Sequence, residues 1–356
     1  MDWMKLPARR MGEQPEPARP RMGDGVVRTR LCFNENMYGM APAVKTAIHA
    51  AAERGHQYAD FSATALKLKL AECYGLNYGQ VVTGAGSSAL IDMLGMTFLE
   101  AGEEVLYCMP TFGAFRDMAE LSGGAPVELP LTGDQRFDLD AMLDAITERT
   151  KIIVVCNPNN PSGTYRSEAE LRRFIEQVPD RVLVVVDEAY MEFATEPDCV
   201  SAVKLLKELP EKPVIVLKTF SKYYAMAGVR VGYALGPEPL MQMMNKCSAA
   251  WNVSLMAQEG ALAALNAQEY YAETRRQIVE TRQWLSEEME KLGCAVYPSQ
   301  TNFIYFDAHI APPELTAALR DRGVLISTFE KSRVSIGTRE QCEQFLDALR
   351  DVMKGG

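Results

Sequence analysis

The stretches Arg181-Val-Leu-Val-Val-Val-Asp187-Glu-Ala-Tyr190 and Val214-Ile-Val-Leu-Lys218-Thr-Phe-Ser-Lys222 decide the fold of this 356-residue chain. Each holds a run of apolar, mostly β-branched side chains with no polar face, the pattern of a strand buried on both sides in a parallel sheet. Each then turns polar at its carboxyl end, where open α/β sheets gather their ligands. The second stretch runs on through Tyr223-Tyr-Ala-Met-Ala-Gly-Val-Arg230, so an acid, a phenol, an amine and a guanidinium follow one another in order.

Those four groups suit one cofactor. Lys222 alone would read as a solvated surface charge. Beside the Thr219 and Ser221 hydroxyls and Arg230, and with Asp187 and Tyr190 ending a different strand, it reads as an amine that can form an imine with an aldehyde. Asp187 can hold a ring nitrogen protonated, Tyr190 can donate to a ring oxygen, and Arg230 with the two hydroxyls can grip a phosphate. Pyridoxal 5'-phosphate requires this set. Asp187 also reads as an N-cap for Glu188-Ala-Tyr190, and both roles stay open.

Four further segments support the same reading. Gly84-Ala-Gly-Ser87-Ser88, between a strand and a helix, offers backbone amides to an anion. Cys156-Asn-Pro-Asn-Asn-Pro-Ser-Gly163 is turn-rich, and within it the Asn160 amide can donate to a ring oxygen and help orient a substrate carboxylate. Phe112, in Pro110-Thr-Phe112, has a flat face for stacking on a pyridine ring or for packing in a core. Arg333 carries a planar fork suited to an α-carboxylate.

Around these segments, helical periodicity alternates with short β-branched runs. Helices are expected over 43–54, from a Ser62 cap to Tyr74, and from Ser87, with strands at 81–83, 104–108, 126–129, 151–156, 181–187 and 214–218. Helix-length connections between such strands predict an α/β layer structure. Beyond about residue 237 the pattern changes to long charged helices, notably 269–292, with strands at 302–306, 324–327 and 333–336 and helices at 312–322 and 338–353. The expected organisation is an extended proline-bearing arm over 1–25, a large α/β domain over 46–261, and a smaller α+β domain from 26–45 and 262–356.

Composition narrows the function. An apolar content of 47% with 24% charged residues is that of a soluble globular protein. A net charge of −10 repels phosphate backbones and anionic membranes, so neither nucleic acid nor membrane is an expected partner. With no apolar stretch of spanning length and no secretion signal, a cytoplasmic protein is expected. The eight cysteines are scattered without Cys-x-x-Cys, and only three histidines are present, so reduced core thiols and no metal site are expected.

The order of motifs resembles the fold-type I pyridoxal phosphate enzymes of the class I/II aminotransferase group, and most closely the histidinol-phosphate aminotransferase family. It runs from Asn34-Glu-Asn-Met-Tyr-Gly39 and Gln57-Tyr58 through Gly84-Ala-Gly-Ser87, Pro110-Thr-Phe112, Asn157-Pro-Asn-Asn-Pro-Ser-Gly163, Asp187-Glu-Ala-Tyr190, Thr219-Phe-Ser-Lys222 and Ala227-Gly-Val-Arg230. It continues through Asn252-Val-Ser254 and Asn302-Phe303 to Arg333-Val-Ser-Ile-Gly-Thr338. The resemblance implies a large domain with a mostly parallel seven-stranded sheet covered by helices, a smaller α+β domain, and a homodimer. It implies Lys222 as the Schiff-base lysine, Asp187 as partner of the pyridine nitrogen, and Tyr190 and Asn160 as donors to the ring oxygen. Phe112 would stack on the ring, while Ser87, Ser88, Thr219, Ser221 and Arg230 would form the phosphate cup. Arg333 would clamp the substrate carboxylate, Tyr38 and Gly39 would lie on the substrate side, and Tyr58 would be lent to the neighbouring subunit's site.

Three positions depart from the family pattern. Met37 replaces a proline, Ser88-Ala89 replaces an acidic pair, and Ser327 replaces the arginine that grips the substrate phosphate in histidinol-phosphate enzymes. Losing that cation weakens the assignment to a phosphorylated substrate, and the expected amino donor is an L-amino acid with a histidinol-phosphate-like, aromatic or other apolar side chain. Tyr38, Met37 and Trp251 could line a more apolar side-chain pocket, or serve only as core. The implied reaction is a two-half transamination between an amino acid and a 2-oxo acid, with Lys222 as the base. A decarboxylase, lyase or racemase on the same scaffold, or a silent cofactor-binding protein, are the competing readings.

Overall fold

The computed structural model describes residues 27–354, and the arm expected over 1–25 lies outside them. The short strand β1 (Thr29–Arg30) precedes the seven strands of the main sheet. These are β2 (Val81–Gly84), β3 (Glu104–Met109), β4 (Ala125–Pro130), β5 (Thr150–Cys156), β6 (Leu183–Asp187), β7 (Val214–Thr219) and β8 (Gly232–Leu235). Their spatial order is β2-β8-β7-β6-β5-β3-β4, and β8 alone runs antiparallel to both its neighbours. Fold type I, with a mostly parallel seven-stranded sheet among helices, is what forms.

Every residue of β6 and β7 is buried, whereas the edge strand β4 is half-exposed along its length. Such burial is worth about 1.5–3 kcal/mol for each fully enclosed Val, Ile or Leu, so these two central strands are firmly fixed in the sheet. The register aligns their ends. Asp187 pairs with Cys156 on one side and Leu217 on the other, while Thr219 pairs with Gly232, which pairs with Gly84. The residues expected to carry chemistry therefore lie along one rim of the sheet.

The remaining strands form smaller sheets. β9 (Ala295–Val296), β10 (Phe303–Asp307), β12 (Ser327–Thr328) and β13 (Ser332–Ser335) make an antiparallel four-stranded sheet in the order β12-β13-β10-β9. β11 (Val324–Leu325) pairs instead with β1, in parallel. The strand expected over 324–327 is thus two strands, because the chain changes partner at the buried Ile326. The 24-residue helix Gln268–Lys291 and the terminal helix Arg339–Lys354 pack in this part of the molecule. Among the described residues no helix is long and apolar enough to cross a membrane.

One helix start differs from expectation. Ser62 does not cap the helix Thr64–Tyr74; the Asp60 carboxylate does, accepting from the amides of Ser62 at 3.0 Å and Thr64 at 2.7 Å. The longer reach of an Asp side chain spans the turn that Ser62 itself occupies.

Candidate active site

A cavity of about 650 Å³ opens at the carboxyl rim of the main sheet. Eleven of the expected site residues line it: Ser87, Ser88, Phe112, Asn160, Asp187, Tyr190, Thr219, Ser221, Lys222, Arg230 and Arg333. Tyr38, Gly39 and Tyr58 do not line it within this one chain. The Tyr270 hydroxyl donates to the Tyr38 and Gly39 carbonyls at 2.9 and 3.2 Å, and the Tyr38 phenol meets Thr281 on the long helix. Tyr58 is 80% exposed and stacks on Trp251, with centroids 4.4 Å apart. Neither Met37 nor Trp251 lines the cavity.

At the base of the cavity, Asp187 ends β6 with one described hydrogen bond to its carboxylate, from the Ala189 amide at 3.1 Å. Burial pushes its carboxyl up to about 7, against the opposing pull of that amide. A carboxylate so placed calls for a cationic N–H partner. Lys222 donates from Nζ to the Phe33 carbonyl at 2.8 Å and lies 5.9 Å from the Tyr190 ring centroid. Enclosure by the cavity walls, followed by the charges of Arg333 and Arg230, draws its amine down to about 8. The Tyr190 hydroxyl accepts from Asn34 Nδ2 at 2.9 Å, and its ring meets Phe303 edge-on at 5.0 Å. Burial raises this phenol to about 12, so it remains a proton donor.

An anion cradle sits at one end. Ser87 and Ser88 begin the twelve-residue helix Ser87–Phe98, whose first amides point out of the turn. Thr219 Oγ1 donates to Ser221 Oγ at 2.9 Å, and Arg230 Nη1 is fixed by the Ala227 carbonyl at 2.9 Å. Glycine is needed at position 86 twice over. Its φ is +84°, and a Cβ there would come 2.3 Å from Arg230 Nη2.

At the other end, Arg333 projects from β13 and is buried. Its Nη1 donates to Asn160 Oδ1, and its Nη2 donates to the Cys32 carbonyl at 2.7 Å and to Ser327 Oγ at 2.9 Å. The rings of Phe303 and Phe329 lie 5.2 and 5.0 Å from its guanidinium carbon. Its Nε is buried without a hydrogen-bond partner. Phe112 is 36% exposed and meets Phe115 edge-on, leaving one face of its ring toward the cavity it lines.

Sequence reading missed the strap of residues 32–36 as a site element. The Cys32 carbonyl accepts from Arg333, the Phe33 carbonyl from Lys222, and Asn34 donates to Tyr190. Glu35 pairs with Arg30 at 2.8 Å, and Asn36 donates to the Tyr223 carbonyl at 3.0 Å. Asn34 has a φ of 55°, the one local sign that the chain is forced into a special path here. Also missed was Asn159, whose amide ties Pro110, Thr111 and Ser162 together beneath the Asn160 turn.

The donor set fits pyridoxal phosphate: an amine, a carboxylate lacking a cation, and an anion cradle that glycine alone permits. The fold and this site together define a fold-type I pyridoxal phosphate enzyme. The profile of the family described as aminotransferase class I and II matches residues 28–349, and the chain belongs to that family. It is similar to an aromatic amino acid aminotransferase of Streptomyces coelicolor, 37% identical and covering 95% of this chain and 94% of that one. It is similar also to a histidinol-phosphate aminotransferase of Bacillus velezensis, 36% identical over 91% of each. Among solved structures, the histidinol-phosphate aminotransferase of Sinorhizobium meliloti in complex with pyridoxal-5'-phosphate superposes with a TM-score of 0.86, at 29% identity over 92% of each chain. The protein is a pyridoxal phosphate-dependent aminotransferase.

Proposed function

We propose that this aminotransferase moves the amino group between an L-amino acid with an aromatic or other apolar side chain and a 2-oxo acid. One observation carries the choice of side chain. Ser327 stands where a second arginine would grip a phosphate, and its hydroxyl is already committed to Cys32 and Arg333. The nearby rings of Phe33 and Phe329 favour apolar groups. The S. coelicolor relative carries a name consistent with this class.

In this reading the Ser87 and Ser88 amides with Thr219, Ser221 and Arg230 would hold the phosphate, Phe112 would offer its face to the ring, and Tyr190 and Asn160 would donate to its oxygen. Asp187 keeps the ring nitrogen protonated. Pyridoxal phosphate, when bound, supplies an aldehyde that captures the substrate amine and a ring that draws electron density away from Cα. Arg333 and Asn160 orient the α-carboxylate. Lys222 Nζ, with its proton affinity lowered to about 8, takes the Cα proton and later returns one.

The enzyme is further proposed to act as a cytoplasmic homodimer, Tyr58 reaching the neighbouring subunit's site. The exposure of Tyr58, Phe61 and Trp251, which form one aromatic cluster, supports an interface there. Lys222→Ala should abolish both the absorbance of lysine-bound cofactor and turnover, and survival of either would overturn its assignment. Substrate class is tested with a panel of amino acids and 2-oxoglutarate or pyruvate. Preference for histidinol phosphate over every apolar or aromatic amino acid would reject the proposed side-chain class.

A further inference from the structure

We infer that Ser327 is a positioning residue for substrate carboxylate binding: it orients the Arg333 fork. This rests on the reading of Arg333 as the carboxylate clamp. Ser327 and Arg333 are direct cross-strand partners in the β12–β13 pair, so their side chains rise from the same face of the sheet at closest approach. The hydroxyl makes two bonds at once. It accepts from Arg333 Nη2 at 2.9 Å and donates to the Cys32 carbonyl at 2.6 Å, while the same carbonyl accepts from Nη2 at 2.7 Å. A closed three-membered set of hydrogen bonds results, in which the serine proton direction is fixed by Cys32 and its lone pair is thereby aimed at the arginine.

The count of donors shows what this does. A guanidinium has five N–H groups. Nη2 uses both of its own on Cys32 and Ser327, and Nη1 uses one on Asn160. One Nη1 proton is left for an incoming carboxylate, while the Nε proton, on the side of the group away from Nη1, is buried without a partner. Phe303 and Phe329 fix the plane of the group by lying against it, at 5.2 and 5.0 Å, but rings do not fix rotation within that plane. Ser327 does, because only one in-plane orientation satisfies both Nη2 bonds. The position at which a substrate-gripping cation is lost thus becomes a brace for the cation that remains.

Both the amino acid and the 2-oxo acid present a carboxylate, so the brace should act on both halves of the reaction alike. The test compares Ser327→Ala, Ser327→Thr and Arg333→Gln in the cofactor-loaded enzyme. Ser327→Ala is expected to raise KM for the amino acid and for the oxo acid by the same factor, about tenfold or more, the scale of one hydrogen bond to a charged group. The kcat should fall less, and the cofactor absorbance and thermal midpoint should stay within error. Ser327→Thr, which keeps the hydroxyl, should restore both KM values. Unchanged KM in Ser327→Ala alongside a large rise in Arg333→Gln would overturn the positioning role while leaving the clamp intact. Unchanged KM in Arg333→Gln would instead remove the clamp on which the inference stands. An equal rise in Ser327→Thr would show that packing, not the hydroxyl, is what matters.

Discussion

Lys218 Nζ lies 3.1 Å from Glu188 Oε2 in a pair whose side chains are 3% and 0% exposed. Glu192 completes the cluster at 2.8 Å from the same amine. Glu188 also accepts from Ser201 Oγ at 2.6 Å and the Ala202 amide at 2.5 Å. These groups flank the site residues in the chain, Glu188 following Asp187 and Lys218 preceding Thr219. Their nearby charges hold Lys218 well above its ordinary value even though burial works the other way.

Lys218→Met should therefore destabilise the protein by about 3–5 kcal/mol, since it strands a buried carboxylate. Denaturant titration of both proteins measures it. A loss below about 1 kcal/mol would mean that Glu188 protonates without cost.

Gly86→Ala should strike cofactor retention before folding. The added Cβ displaces the end of Arg230, a flexible group, while the backbone at φ 84° and ψ 169°, a region taken essentially by glycine alone, costs about 1–3 kcal/mol. Cofactor affinity, read by absorbance titration, is expected to fall about tenfold or more. Full affinity in the variant would show that Arg230 does not serve the phosphate.

Asp187 makes the cofactor-stripped enzyme sensitive to pH. Its folded value, about 7, is above the ordinary 3.8, so the native state binds more protons than the unfolded chain between those limits. Stability from this group is present at acid pH and is lost as pH rises toward and through 7. Unfolding midpoints of stripped enzyme at pH 5 and pH 8 should differ less in Asp187→Asn than in the natural protein. Lys222 does not confuse the measurement, because its lowered value of about 8 places its own contribution between there and 10.5. Equal differences in the two proteins would count against the assignment.

Ser327→Arg should exchange one specificity for another. The new guanidinium would stand across the strand pair from Arg333, adding a phosphate donor while removing the hydroxyl brace. The ratio of kcat/KM for a phosphorylated amino alcohol to that for an apolar amino acid is expected to rise at least about tenfold. A flat ratio would show that the side-chain pocket lies elsewhere.

Much of this could be seen in the sequence because burial on both faces forces continuous apolar runs, as in Val184-Val-Val186 and Val214-Ile-Val216. β8 was harder: Gly232-Tyr-Ala-Leu235 is four residues long and directly follows the Gly228-Val-Arg230 turn, so no period could form. β12, Ser-Thr, carries no apolar signal at all and exists because β13 offers it an edge. Most of the eleven converging site residues were legible because they end a buried strand, begin a helix or lie in the turn that follows a strand, as Asp187, Thr219, Ser87 and Asn160 do. The strap was not, because the Cys32 and Phe33 contacts are made by backbone carbonyls, which are alike in every residue. The surroundings of Tyr38 were hidden for another reason, since they are set by the distant Tyr270 and Thr281.

That strap joins the chemistry mechanically. Three successive residues, Cys32, Phe33 and Asn34, touch the guanidinium, the amine and the phenol in turn, and Asn34 is anchored to β13 through Ser335. One short segment of backbone thus sets the spacing between guanidinium, amine and phenol, so a substitution that shifted it would disturb all three together.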